Sequence, residues 1–374
     1  MTPPLATRAN WRQPPFNRWA FRNFDALTPV ETIDNDPADV APLPRAAKPW
    51  APNGLHRFLL DFTATDALVA LVDGEVAFER YANGNGPQTR HIVMSCSKAI
   101  VGLLIGLLAE EKVLDYRAPV STYLPEIADT RYAATTLRDL VDMRAGVELS
   151  PSERQAYQLA TNWRPIPPGG GPASLRTALK SLAGAPSPGG QPFRYRSANT
   201  DLLGWAIERA TGKTIAKLIS ERLWRPMGAE SPAYVSTDDE GLARSAGGVC
   251  ATARDVARLG QAMIAGGRRG KRQIIPAAAI DDIRANGDRA AWARGEWRRL
   301  MSPARRDMSY RSGWYVANDA PRCVFAIGIH GQNLFLDFER RIVVAKLSSW
   351  KKADGRLPFL ATHWAFARLQ KALG

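Results

Sequence analysis

The sequence predicts an α/β (α+β) chain: an antiparallel sheet flanked by helices, with a mainly helical lobe inserted. Three observations carry this. Strand-like segments stand near both ends, a long apolar helix follows the first of them, and helix start and stop signals fill the middle. The 374 residues are enough for two subdomains and a sizeable core. Residues 1–118 and 246–374 are expected to form the sheet-bearing body, and residues 119–245 the helical lobe.

In chain order, residues 67–72 and 75–81 alternate as strands, and Asp73-Gly74 between them signals a hairpin turn. Ser95-Cys96-Ser97-Lys98 heads the next element. Its continuation from Ala99 to Leu108 is apolar all round, which predicts a buried helix. Thr136-Leu137-Arg138-Asp139 opens a short helix that Gly146 ends, and residues 165–172, rich in Pro and Gly, form a loop at a cleft rim. Helices follow over residues 200–210 and 214–224. Thr252-Ala253-Arg254-Asp255 starts another with a capping-box-like pattern, and Val256, Leu259 and Met263 share one face of it. Residues 313–316, 323–327, 333–336 and 341–347 are closely spaced strands that should join the first hairpin in one antiparallel sheet, and residues 359–373 close the chain as a helix.

The most informative feature is the Ser95-x-x-Lys98 pair. Residues three apart are neighbours on a helix surface. An amine at the start of a buried helix is desolvated, so its ammonium form is disfavoured. A neutral lysine beside a hydroxyl can accept its proton. Free N–H groups and the helix dipole near Ser95 favour a developing negative charge. Two further segments lie downstream. Phe193-Arg194-Tyr195-Arg196-Ser197 precedes a helix capped near Asn199/Thr200 and stopped at Gly212, which puts the Tyr195 phenol on a connection facing a cleft. Phe325-Ala326-Ile327-Gly328-Ile329-His330-Gly331-Gln332 is a strand running into glycines, where a backbone N–H can reach an oxyanion.

Serine, lysine, a tyrosine-bearing turn and a glycine-bearing strand in this order resemble the penicillin-recognising serine hydrolases: class C β-lactamases, DD-peptidases and related esterases. Within them the chain is similar to the 6-aminohexanoate-dimer (nylon oligomer) hydrolase group. The resemblance also takes in residues 15–21, 139–146, 199–204, 246–255 and 346–350. It implies a β-lactamase/transpeptidase-like fold and a serine acyl-hydrolase, an amidase or esterase. It assigns Ser95 as the acylated nucleophile, Lys98 as its base and Tyr195 as the proton shuttle to the leaving group. The N–H groups of Ser95 and Ile329 are expected to hold the oxyanion. Ser97 matches no role. Ser197 stands where the Y-x-N asparagine would be, and Ala326-Ile327-Gly328 stands where K-T-G would be. The missing lysine weakens a β-lactamase or DD-peptidase reading, which remains one alternative; a non-catalytic binding protein on the same fold is another. Ser197, His330, Gly331 and Asp142 are expected substrate contacts, with Trp163 and Tyr157 as further cleft candidates.

Cys96, Cys250 and Cys323 form no disulfide framework and no zinc spacing, and the four histidines are scattered, so neither a metal nor a cofactor is expected. A formal charge of +14, concentrated in part at Arg289, Arg294, Arg298, Arg299, Arg305 and Arg306, comes without a nucleic-acid recognition motif. It reads as solubility and a field favouring anionic substrates. The segment around Trp292 and Trp297 is either a loop near the cleft or a surface ribbon. No apolar run has the ~18 residues of a membrane span, and Met1–Arg8 has no apolar leader core, so a cytoplasmic enzyme is expected. The expected partner is a small-molecule amide or ester rather than a nucleic acid or membrane, and a homodimer stays open.

Overall fold

The computed structural model describes residues 5–171 and 173–373. Met1–Pro4, Pro172 and Gly374 lie outside the described residues, and with them half of the leader segment and the end of the proline–glycine loop. The main sheet has seven antiparallel strands. Their order is Glu75–Tyr81, Thr65–Val72, Ile342–Ser348, Gln332–Asp337, Cys323–Gly328, Trp314–Ala317 and Met308–Arg311. The amino-terminal hairpin therefore pairs with the carboxy-terminal strands, Val72 opposite Ile342 and Leu68 opposite Lys346. Its turn has Asp73 at φ 50° and Gly74 at φ 86°, both in the left-handed region that a two-residue hairpin needs.

Alternation along the strands divides the core. Val69, Leu71, Val343 and Ala345 pack with the helices Ser97–Glu110 and Ala253–Ile264. Leu68, Ala70, Phe335 and Val344 face the other way, onto Leu60 of helix Gly54–Phe62 and onto Phe359 and Phe366 of helix Arg356–Leu373. Both faces of the sheet are thus covered by helices.

A second, four-stranded antiparallel sheet pairs Val30–Ile33, Ala233–Ser236, Val249–Ala251 and His91–Ile92 in that order. Its strands run two to four residues, too short for periodicity to announce them. The sheet delivers the chain to Ser95: Val93 N–H donates to Val249 O at 2.9 Å, one residue past the His91–Ile92 strand.

Several boundaries differ from the sequence expectation. The helix Leu137–Val141 is capped by Thr136 as expected, but it stops at Asp142 rather than Gly146, because Met143 takes a left-handed φ of 58°. Helix Ser197–Thr211 starts ahead of Asn199/Thr200 and ends at Gly212, φ 65°. Asn199 and Thr200 are buried, and Asn199 accepts from the Tyr132 hydroxyl at 2.8 Å instead of capping. Helix Pro151–Ala160 lies outside the sequence expectation, although Ser150 and Glu153 form a full capping box at its start. No helix of the described residues is long and apolar enough to cross a membrane.

Helix Ser97–Glu110 is buried from Ser97 through Leu108. At Gly102 it presses against the Ser312-Gly313 turn, and a Cβ there would run into the Ser312 carbonyl oxygen. Backbone cannot give way as a side-chain end can. Gly102→Ala is therefore expected to destabilise the fold by roughly 1–3 kcal/mol. Urea denaturation checks this, with Gly106→Ala, whose neighbours are the Ala279 and Tyr116 side chains rather than backbone, losing less.

Candidate active site

Ser95 sits in a single 3-10 turn, Met94–Cys96, immediately before the buried helix, and not at the helix N-cap. Met94 holds φ 48°, a costly conformation for a non-glycine residue. Ser97 braces the turn: its Oγ donates to Met94 O at 2.7 Å and accepts from Val249 N–H at 3.1 Å. Cys96 points into the core, and burial pushes its thiol up, away from thiolate chemistry.

Lys98 is 2% exposed. Its Nζ lies 3.1 Å from Ser95 Oγ and donates to Ala246 O at 2.6 Å. Burial first, and then the nearby Arg244 charge, drive its pKa well below the ordinary lysine value. A neutral amine that spends an N–H on Ala246 O has a lone pair to offer the serine hydroxyl.

Tyr195 closes the group. Lys98 Nζ is 4.8 Å from the centre of its ring, and the Ser95 hydroxyl is among the polar groups that act on its phenol. Burial raises the phenol pKa, so it stays protonated. The Tyr195 N–H donates to Glu296 Oε1 at 2.7 Å, and its ring stacks on Trp297 at 4.5 Å. The arginine-rich segment, folded as the short helices Arg289–Ala293 and Arg298–Met301, is therefore a buttress of this site.

Two residues that the sequence did not single out hold Ala246 in place. Asp201, fully buried on helix Ser197–Thr211, accepts from Ala246 N–H at 2.8 Å. It also pairs with the buried Arg244, which donates to the Tyr157 hydroxyl at 2.8 Å. Asp201 lies within a stretch the resemblance covers, but nothing local in the sequence names Arg244 as its partner.

The strand Cys323–Gly328 ends against the nucleophile turn. A Cβ on Gly328 would meet Val93 O at 2.7 Å and the Met94 Cβ at 2.8 Å, so only glycine permits this approach. Ile329 follows, packed in one cluster with Met94 and Trp163. Ser197 lines a cavity of about 430 Å³ together with Tyr195, Tyr157, Trp163 and Arg244. His330 lines an adjoining cavity of about 490 Å³. Its Nδ1 donates to Trp350 O at 2.8 Å, and burial lowers its pKa to about 4, so the ring is neutral at pH 7.

Two expected substrate contacts are corrected. Gly331, φ 92°, makes room for the Trp350 indole and lines neither cavity. Asp142 is buried, accepts from Ser312 N–H and Arg311 Nη1, each at 2.8 Å, and lines neither cavity. Its carboxylate is a strut between the Leu137–Val141 helix and the sheet.

The family profile described as Beta-lactamase matches residues 62–368. The 6-aminohexanoate-dimer hydrolase of Paenarthrobacter ureafaciens is 34% identical over 368 residues, covering 96% of this chain and 90% of that protein. A solved structure from Bacillus anthracis, provisionally described as a 6-aminohexanoate-dimer hydrolase, superposes with a TM-score of 0.84 at 27% identity, covering 98% of this chain and 97% of the other. EstCE1, a hydrolase with promiscuous acyltransferase activity, shares the fold at a TM-score of 0.64 and 18% identity, covering 83% of this chain and 96% of its own.

The Asp201–Arg244 pair yields a stability prediction. Removing one member of a buried ion pair strands the other charge. Asp201→Ala is therefore expected to cost about 3–5 kcal/mol, and the double variant Asp201→Ala/Arg244→Met to recover part of it. Chemical denaturation of the single and double variants measures both.

Proposed function

The chain belongs to the beta-lactamase family, and from that premise we propose that it hydrolyses a small-molecule amide or ester through an acyl-enzyme on Ser95. It is a serine hydrolase. The observation that carries the residue assignment is the desolvated Lys98 amine, 3.1 Å from Ser95 Oγ and anchored on Ala246 O. Ser95 Oγ attacks the carbonyl carbon as its proton passes to Lys98 Nζ. The carbonyl oxygen takes the negative charge and is held by the N–H groups of Ser95 and Ile329, a kind of contact worth ~2.7–4 kcal/mol of barrier. Tyr195 gives its proton to the leaving nitrogen or oxygen as the C–N or C–O bond breaks, and is reprotonated from Lys98. Water then attacks the acyl-enzyme by the reverse relay and frees the acid and Ser95.

Similarity to the 6-aminohexanoate-dimer hydrolase favours linear amides and their esters over bicyclic lactams. Ala326 in place of the K-T-G lysine leaves no cation on that strand position for a lactam carboxylate. The three cysteines are free and buried, which suits a reducing cytoplasm.

Lys98→Ala is expected to stay folded and to lose about 10²–10⁴-fold in acylation. Hydrolysis of 4-nitrophenyl acetate reads this, and parental rates in that variant would remove Lys98 as the base. Labelling by a fluorophosphonate, located by peptide mass spectrometry, should fall on Ser95; nitrocefin should be a poor substrate.

The pH dependence follows from the directions of the two shifts. Lys98 must be unprotonated, so kcat/KM rises with pH through its lowered value and levels off below the ordinary lysine range near ~10.4. Tyr195, raised by burial, keeps its proton above the ordinary tyrosine range near ~10, so no alkaline fall is expected there. A rate still climbing at pH ~10 would contradict a desolvated base.

A further inference from the structure

Five of the nine large apolar side chains exposed among the described residues stand on two helices packed against each other, Gly54–Phe62 and Arg356–Leu373. Leu55, Phe58 and Phe62 are spaced by three and four, which puts them on one face of the first helix. Leu357 and Trp364, seven apart, share a face of the second. Phe58 is 61% exposed and Leu357 71%, so much of each side chain stands in water. The core does not need them, since Leu60 from the first helix and Phe359, Phe366 and Leu369 from the second already pack on the outer face of the sheet. The two rows meet. The Phe58 and Phe62 rings stack at 5.9 Å, and Phe62 and Leu357 line one groove of about 750 Å³ with Pro14, Pro15 and Pro358. Apolar side chains scattered singly over a surface need no explanation, but a contiguous patch marks a place that something covers.

The surroundings of the patch are positive. Arg18, Lys351 and Lys352 line the groove, and Arg356, Arg368 and Lys371 extend along the second helix. All six are exposed, and none has an ion-pair partner among the described residues. Arg368 lies over the Trp364 ring at 5.0 Å, so cation and aromatic are presented together. Residues 14–18, 54–62 and 351–373 hold only two carboxylates, Asp61 and Asp354, and Asp61 is paired with Arg80 at 2.6 Å. A second copy of this chain is a poor occupant. A two-fold contact through this face would set the six cations of one copy against the six of the other. Apolar tips ringed by lysine and arginine are complemented by a surface that is anionic on top and apolar beneath.

We propose that this face docks the chain on an anionic bilayer surface, with Phe58, Phe62, Leu357 and Trp364 entering the boundary between headgroups and acyl chains and the six cations meeting lipid phosphates. The helices lie on the bilayer and do not cross it, in keeping with their length and composition. Net charge alone gave no reason to expect a membrane; the placement of cations around exposed aromatics does. The inference goes beyond the acyl-hydrolase reading and does not depend on the chemistry at Ser95.

The test is co-sedimentation of the full chain with vesicles of phosphatidylcholine alone and of phosphatidylcholine with roughly a third phosphatidylglycerol. The chain is expected to pellet with the anionic vesicles and to stay in solution with the neutral ones, and salt at about 0.5 M should release much of it. Phe58→Ser/Trp364→Ser and Lys352→Glu/Arg356→Glu should each weaken binding about ten-fold, while hydrolysis of 4-nitrophenyl acetate at the parental rate shows the fold intact. Lys271→Glu/Arg272→Glu makes the same change in net charge on the hairpin that follows helix Ala253–Ile264, which packs on the other face of the main sheet. It should leave binding within about two-fold. Equal losses in both charge variants would reduce the effect to net charge and overturn the proposal; so would failure to bind either vesicle, whatever the chain does to esters. Light scattering reads the competing occupant. A dimer that Phe58→Ser/Trp364→Ser splits, without vesicle binding, assigns the face to a second copy, and binding to polyglutamate but not to vesicles assigns it to an acidic protein. Either result overturns docking on lipid.

Discussion

The site depends on keeping one amine dry. The Lys98 pKa lies well below the ordinary lysine value because water is excluded from the amine, and the exclusion is a property of the whole fold. The helix that carries it is buried along its first twelve residues, between the main sheet and the helices Ser197–Thr211 and Ile215–Ile219. Besides the side chains of the sheet, backbone grips it directly: Gly102 lies against Ser312 O, and Gly313 lies against Lys98 O. Contacts between main chains leave little freedom for the helix to shift or for water to enter. That is why two glycines far apart in sequence bear on the protonation of one side chain.

Desolvation by itself would leave Lys98 without orientation. The second requirement is met by Asp201, which fixes the carbonyl that Lys98 donates to and offsets the charge of Arg244. Arg244 close to Lys98 makes the ammonium form less favourable still, and Asp201 keeps this from leaving an uncompensated charge in the core. A buried ion pair is weak evidence for stability in general. Here its value is geometric, since one carboxylate positions both a main-chain carbonyl and a guanidinium.

How much of this was legible in the sequence depended on the range of the signal. Ser95 and Lys98 are three residues apart and head a ten-residue apolar run, so spacing and burial could be read locally. The same holds for the Asp73-Gly74 hairpin and for the strand alternation that fills the main sheet. The four-stranded sheet was invisible because its strands run only two to four residues and two of its three pairings join segments more than a hundred residues apart. Asp142 was misread for a related reason. A carboxylate next to a helix end looks available until Arg311, 169 residues on, is seen to claim it. Gly331 was read as space for a ligand when the space belongs to Trp350. Asp201 and Arg244 matter only as a pair, and pairing across a fold is not written in either neighbourhood.

The charge of +14 takes on a different meaning once its distribution is known. At physiological salt a bare net charge is screened within ~8 Å, so it cannot select a substrate at the bottom of a cleft. Selection needs cations that are close to the ligand and not already neutralised. Arg12, Arg154 and Arg164 line the cavity beside Tyr195, while Arg254 and Arg311 are held by Glu and Asp. This arrangement also protects the base. A carboxylate entering the site alone would stabilise the ammonium form of Lys98 and switch off the proton acceptor. Guanidinium charge near the amine opposes that shift, as Arg244 does from within the core.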